Sequence, residues 1–271
     1  MDESLINRIN IETPENIILK ISSNGQIIII NSNYELNQTA SSGNGTLANP
    51  YIIRDKKIDA NGNTYGILIN NTNKFFSLIN CTVFNASYGL FIHNVSKGKV
   101  YDCYFRDNSI AGIKLFNCSK NAINYNYIYS NNHYGIVFNR SNNNEISGNY
   151  LWDNQHSGIY LNCSNYNNIT SNLLTNHDNA IYLLNSNHSY IAYNFGSSNN
   201  HTIVQINCVD NTLVKNFIEW SERANTEIKF LSLVISCGML SISLARKYNT
   251  RKFLSLVMHG GISFILEEPD S

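Results

Sequence analysis

Along most of the chain, apolar and polar residues alternate in short runs that recur at a fixed interval. A small residue, Gly, Ile or Leu, any residue and an apolar one appear at YGILI (65–69), YGLFI (88–92), AGIKL (111–115), YGIVF (134–138) and SGIYL (157–161). Gly66, Gly89, Gly112, Gly135 and Gly158 lie 23 residues apart. A sixth unit, NAIYL, has Ala180 in the glycine place after a 22-residue step, and a worn copy, HTIVQI, follows at 201–206. Alternation with period two predicts β-strands with one buried face. Asn or Gly separates the runs, and both tolerate the left-handed backbone that corners need. No apolar set recurs at i, i+3, i+4, i+7, which excludes a helical repeat.

Counting from each glycine brings out further columns. Fourteen residues on stand Asn80, Cys103, Asn126, Asn149, Asn172, Asn194 and Asn216, and nineteen on stand Asn85, Asn108, Asn131 and Asn154. Eleven on stand Val100, Ile123, Ile146, Ile169, Ile191 and Leu213, and sixteen on stand Phe105, Ile128, Leu151 and Leu174. The first unit fits the last two columns poorly, which points to a one-residue shift. Coils stacked at about 4.8 Å place equivalent residues above each other. An Asn column then becomes a hydrogen-bonded ladder, and the aliphatic columns fill the interior. The prediction is an all-β protein, a single parallel β-helix of about seven coils of 22–23 residues, roughly 30–35 Å long. The handedness of parallel crossovers makes it right-handed.

The repeat occupies 43–217. Residues 1–42 lack the period and are expected to cap the first coil, with a strand within QIIII at 26–30. Residues 218–271 form a hydrophobic segment, expected to be helical. Its stretch 228–245 (IKFLSLVISCGMLSISLA) carries one charge, Lys229, and precedes Arg246, Lys247, Arg251 and Lys252. That is the short limit of a membrane span with a basic flank. The alternative is a cap on the last coil that hides its open edge. The opening MDESLINRIN has no apolar core of signal-peptide type.

Composition fits a packed, neutral protein. Of 271 residues 43% are hydrophobic and 14% charged, with Lys+Arg and Asp+Glu at 19 each. A disordered chain and a large nucleic-acid footprint are excluded. Asparagine carries the polar load, with 47 residues against 12 lysines, so coding bias alone does not explain it. Twelve of these asparagines stand in N-x-S/T sequons, among them Asn37, Asn70, Asn80, Asn117, Asn162 and Asn200. Glycosylation of an outer surface would use them, but most are expected to be ladder residues.

The repeated G-I-x-L and I-x-x-N-x-I units resemble the parallel β-helix repeats of the pectin-lyase-like superfamily, in particular its NosD-like, or CASH, members. The segment GNGTLANPYIIRDKKID at 43–59 resembles the one that opens the β-helix in many archaeal surface proteins of that group. The resemblance covers roughly 43–217. It implies the fold and an extracellular or cell-surface location. It does not fix an activity, since lyases, hydrolases, epimerases, adhesins and copper accessory proteins share this fold.

Polysaccharide hydrolases of this fold carry D-D and G-H-G signatures, and neither occurs here. Asp107 and Asp153 share a column two coils apart, near an inverting carboxylate separation, but they also read as solvated turn residues. Scattered acids make a calcium cage a poor fit. His133 and His156 share a corner, and His177 comes 21 residues later, so three imidazoles could converge on copper or zinc. Cys81 and Cys103 should stack as small hydrophobes, and Cys118, Cys163 and Cys208 should share a corner with Ser141, Ser164 and Ser186. In ISGNYLWDN (146–154), Ile146 and Leu151 should point inward, so Tyr150 and Trp152 point out. Tyr104, Tyr127, Phe195 and Phe217 share the Tyr150 column and Tyr129 the Trp152 column, with Arg106 and Asp107 alongside. Such a face suits a polysaccharide, whose rings stack on aromatics. Its plain alternative is cross-strand pairing that only stabilises the sheet. The reading is a non-catalytic carbohydrate-binding or adhesive rod. A lyase or hydrolase, and a copper accessory protein, are the alternatives.

Overall fold

The computed structural model describes residues 27–220. Beyond them it describes the backbone of two strand pairs, Lys229–Val234 with Ser241–Arg246 and Leu256–Val257 with Ser263–Phe264. The lead over 1–26 and most of the C-terminal segment, where a helix or anchor is expected, lie outside the described residues. Among the described residues no helix is long and apolar enough to cross a membrane.

The alternating runs form three parallel sheets of eight strands each, stacked along one axis. The first sheet starts at Ile28–Ile30 and continues with Tyr65–Thr72, Tyr88–Val95 and their successors to His201–Ile206. The second runs from Tyr51–Arg54 to Thr212–Val214, and the third from Lys57–Asp59 to Phe217–Trp220. Successive coils pair in register, as in Ile113↔Ile136 and Ile136↔Ile159. Ile28–Ile30 thus already belongs to the solenoid. After it, Ser32 caps the helix Asn33–Thr39 by accepting from the Glu35 N–H at 3.2 Å, and Leu36 inserts into the core. That helix covers the first coil's flank, as the end of a solenoid requires.

One core runs the whole length, filled by columns such as Ile113, Ile136, Ile159 and Ile181. The glycine column follows from close approach. A Cβ on Gly135 would lie 2.5 Å from the Gly158 oxygen and 2.7 Å from Leu151 Cδ2. Corners are built from two adjacent residues with separate tasks. The first adopts the left-handed conformation, for example Asp107, Tyr125, Lys120 and Asn117 with φ of 54, 57, 58 and 53°. The next points inward and binds the neighbouring coil.

Those inward residues form three buried amide ladders. One runs Asn126, Asn149, Asn172, Asn194, Asn216, headed by Cys81 and Cys103. A second runs Asn108, Asn131, Asn154, His177, Asn199. A third runs Asn121, Asn144, Asn167, Ser189, Asn211. A fourth column, Cys118, Ser141, Ser164, Ser186, Cys208, uses hydroxyls and thiols in the same way.

Two expected members are displaced. Asn80 and Asn85 are left-handed corner residues, and Cys81 and Ala86 stand in the ladder columns. The first bend has one residue more at 73–75 than at 96–97, and the third bend gives it back at 85–87 against 107–110. The glycine spacing therefore stays at 23 and conceals the shift. Cys163 is likewise a corner residue, φ 49° and exposed, one place before Ser164. None of the twelve sequon asparagines lies in a buried amide ladder, contrary to expectation. In the first and third ladders the residue two places after the Asn points inward and is aliphatic or Gly, as Ile128 after Asn126, and in the second it is Ile110, His133, His156 or His201, so none is Ser or Thr.

Candidate functional site

The outer face of the third sheet gathers the expected aromatic residues. Tyr104, Tyr127 and Tyr150 align in one column, followed by Leu173, Phe195 and Phe217. Phe84, Arg106, Tyr129 and Trp152 align in the next, followed by Thr175 and Ser197. Parallel pairing at the coil spacing forces the rings face to face. Tyr104–Tyr127 centroids are 4.7 Å apart at 9°, Tyr127–Tyr150 5.3 Å at 13°, and Tyr129–Trp152 4.1 Å at 7°. Stacked this way, the rings occupy one another's faces and present their edges outward. Both columns of rings break at the same level, where Leu173 and Thr175 come next, and rings resume only in the first column, at Phe195 and Phe217. Arg106 lies over the Phe84 ring at 4.4 Å and is ion-paired with Asp107.

Beside Trp152 the third sheet turns into the first, and the turn opens into a polar cleft of about 480 Å³. One rim is the left-handed corner column Asp153, Asn176 and Ser198, with φ of 55, 60 and 58°. The other is Gln155, Asp178 and Asn200, and His177 of the ladder forms the floor. Asn176 Nδ2 donates to Asp153 Oδ1. Asp178 accepts from Asn179 at 3.2 Å and Asn200 at 3.3 Å, with His201 Nδ1 at 3.7 Å. Among the described residues no Lys or Arg lines the cleft.

The three histidines do not converge. His177 is 3% exposed and fills a ladder place, with Nδ1 accepting from Asn154 N–H at 3.2 Å and Nε2 3.2 Å from the Leu151 oxygen. Burial lowers its pKa to about 4, so it is neutral. His177 stands two residues after Thr175, as Asn154 stands two after Trp152, and the rest of that bend is one residue shorter, 176–178 against 153–156. This puts His177 in register with Asn154 rather than with His133 and His156, which stay exposed at the corner. Among the described residues no group of three His, Cys, Asp or Glu could hold a metal ion. Asp107 and Asp153 do share the corner column, about 10 Å apart across two coils, and each is already engaged, Asp107 by Arg106 and Asp153 by Asn176. Burial pushes the Cys118 thiol up to about 12 and raises Cys103 as well, so neither offers a thiolate.

A second aromatic face, not predicted from the sequence, lies on the first sheet. Tyr65, Tyr88, Phe91, Tyr134 and Tyr160 cover the outside of the first sheet, with Lys114 Nζ 4.7 Å from the Tyr88 ring. In the sequence these rings occupy two outward places, the residue before the Gly (Tyr65, Tyr88, Tyr134) and the x of G-I-x-L (Phe91, Tyr160). These rings are more covered than those of the third sheet: Tyr88 is 8% exposed, whereas Tyr150 is 44% and Phe217 60%. Desolvation raises the Tyr88 hydroxyl to about 12.

The class this geometry defines is a parallel β-solenoid with an exposed aromatic face beside a polar cleft. The chain belongs to the right-handed β-helix family: residues 41–200 match the family described as right handed beta helix region. No curated protein shows significant sequence similarity to it. Among solved structures, a mutant of the periplasmic alginate epimerase AlgG superposes with a TM-score of 0.58 at 18% identity, over 62% of this chain and 45% of that one. The enzymatically active domain of bacteriophage CBA120 tailspike protein 2 gives 0.51 at 14% identity, over 60% and 31%. The chain thus spans less than half the length of either, and at these identities the likeness is one of pectin-lyase-like fold.

Proposed function

We propose that this chain is a non-catalytic, cell-surface β-helix protein that binds a polysaccharide on the outer face of its third sheet. The observation that carries this reading is the pair of outward-facing ring columns, Tyr104–Tyr127–Tyr150 and Tyr129–Trp152, with Tyr104 and Tyr150 exposed and the other rings half-buried, adjoining a cleft lined by amides and carboxylates. Rings supply apolar area at low entropic cost, and the amides both donate and accept. Fold relatives that include an alginate epimerase and a tailspike support a glycan as the ligand class. The engaged state of Asp107 and Asp153 favours binding over hydrolysis. Within the family, the opening segment at 43–59 supports the NosD-like, or CASH, subgroup. The test is retardation of the full chain in affinity gels containing neutral and acidic polysaccharides. Retardation is expected with at least one glycan, and Trp152→Ala and Tyr127→Ala should reduce it while leaving the thermal unfolding cooperative. Absence of retardation on every glycan overturns the reading.

A further inference from the structure

The aromatic stack is interrupted at one level, and that interruption localises the ligand. Tyr129 covers one face of the Trp152 indole at 4.1 Å. The next residue in that column is Thr175 and the one after is Ser197, neither of which carries a ring. In the neighbouring column Leu173 follows Tyr150. Aromatic faces pair with flat partners at about the spacing of the coils. The indole therefore ends its stack one ring short, at the level where the cleft opens beside it. Asp153 follows Trp152 in the chain and Asn176 follows Thr175, so the cleft rim runs alongside this place.

The charges facing the place select among sugars. Asp153 and Asp178 face the cleft, and among the described residues no Lys or Arg does. Arg106, two coils away, is bound to Asp107. Lys57 stands at the far end of the face with Asp59 two residues on in the same strand, and Lys215 lies at a bend on the opposite side of the third sheet. His177 on the floor is neutral, and His201 lies against Asp178. A polymer with a carboxylate on each residue would meet two negative charges and, among the described residues, no available cation. Hydroxyl groups would find acceptors in the carboxylates and both partners in Gln155 and Asn176.

We infer that an uncharged pyranose ring of a neutral polysaccharide occupies the place over the Trp152 indole beside Thr175, with its hydroxyls turned into the cleft of Asp153, Asn176 and Asp178. This rests on the carbohydrate-binding reading and departs from the acidic polymer of the epimerase relative. The full chain, Thr175→Tyr and the double variant Asp153→Asn/Asp178→Asn are run through gels containing mixed-linkage glucan, galactomannan, alginate or polygalacturonate. The wild type should be retarded by a neutral glycan and at least about tenfold less by either acidic one, a difference of about 1.4 kcal/mol. Thr175→Tyr extends the ring column into the proposed place, so it should lose retardation without losing its fold. The double variant should gain retardation on the acidic polymers. Wild-type preference for alginate or polygalacturonate overturns the inference and leaves the aromatic-face reading standing. So does full retardation of Thr175→Tyr alongside loss in Trp152→Ala. Failure of every glycan removes both.

Discussion

A ladder asparagine in this chain satisfies two coils at once. Asn149 Oδ1 accepts from the backbone N–H of Asn126 at 3.0 Å and from its Nδ2 at 3.0 Å. Its own Nδ2 donates to the Ile123 oxygen at 2.7 Å and to Asn172 Oδ1 at 2.9 Å. All of these atoms are buried, so removing the amide strands a backbone donor and an acceptor where water cannot replace it. Asn149→Ala is expected to lower stability by about 2–4 kcal/mol, read from urea midpoints. The exposed corner residue Asn176, with its left-handed φ of 60°, has a different task. Residue type alone does not separate these tasks. The spacing of Asn80 predicts a ladder place, yet it is a corner, because one extra residue in a bend moves the inward position to Cys81.

Each ladder works as a unit, and His177 gives the second of them a pH dependence. His177 takes an asparagine's place, with an ordinary pKa of 6.5 lowered to about 4 chiefly by burial. Between those values the unfolded chain binds a proton that the folded chain refuses. Stability is therefore full above about pH 6.5 and falls as pH drops towards 4, by on the order of 3 kcal/mol from this group. His177→Asn restores the ladder's usual amide and should flatten that part of the stability–pH curve relative to wild type. An unchanged slope in thermal melts between pH 4 and 6.5 would contradict the assignment. The strands and three of the four inward columns are legible in the sequence, because the period-two alternation persists through the coils and the glycine recurs in five of them. The cleft was not legible. Its rims combine residues 22–23 apart with a bend whose length changes between coils, and single-residue changes in a bend leave no mark on the strand pattern. The aromatic columns of the third sheet were legible because Tyr150 and Trp152 flank the inward Leu151.

At the scale of the molecule, the coil is the unit of construction. Every column in residues 112–134 has a counterpart one coil on, from Gly112 and Gly135 to Asn131 and Asn154. Excising 112–134 joins Ala111 to Gly135 and leaves all three sheets and all ladders continuous. That variant is expected to fold cooperatively, to be about 5 Å shorter by small-angle scattering, and to melt at a lower temperature because one interface is lost. Excising 112–123, about half a coil, would set first-sheet residues against the second sheet and should give no cooperative transition.

The bends have a consequence for ancestry as well. Coils of 22 and 23 residues coexist because a bend can gain or lose a residue while each inward side chain keeps its column. A gene encoding such a rod can copy or drop one coil's worth of codons by misaligned recombination and still specify a continuous core. Small slips at the joints are absorbed where the backbone is already left-handed. The length of this protein can therefore change between lineages by whole coils, while the level that holds Trp152 and its cleft moves along the rod intact.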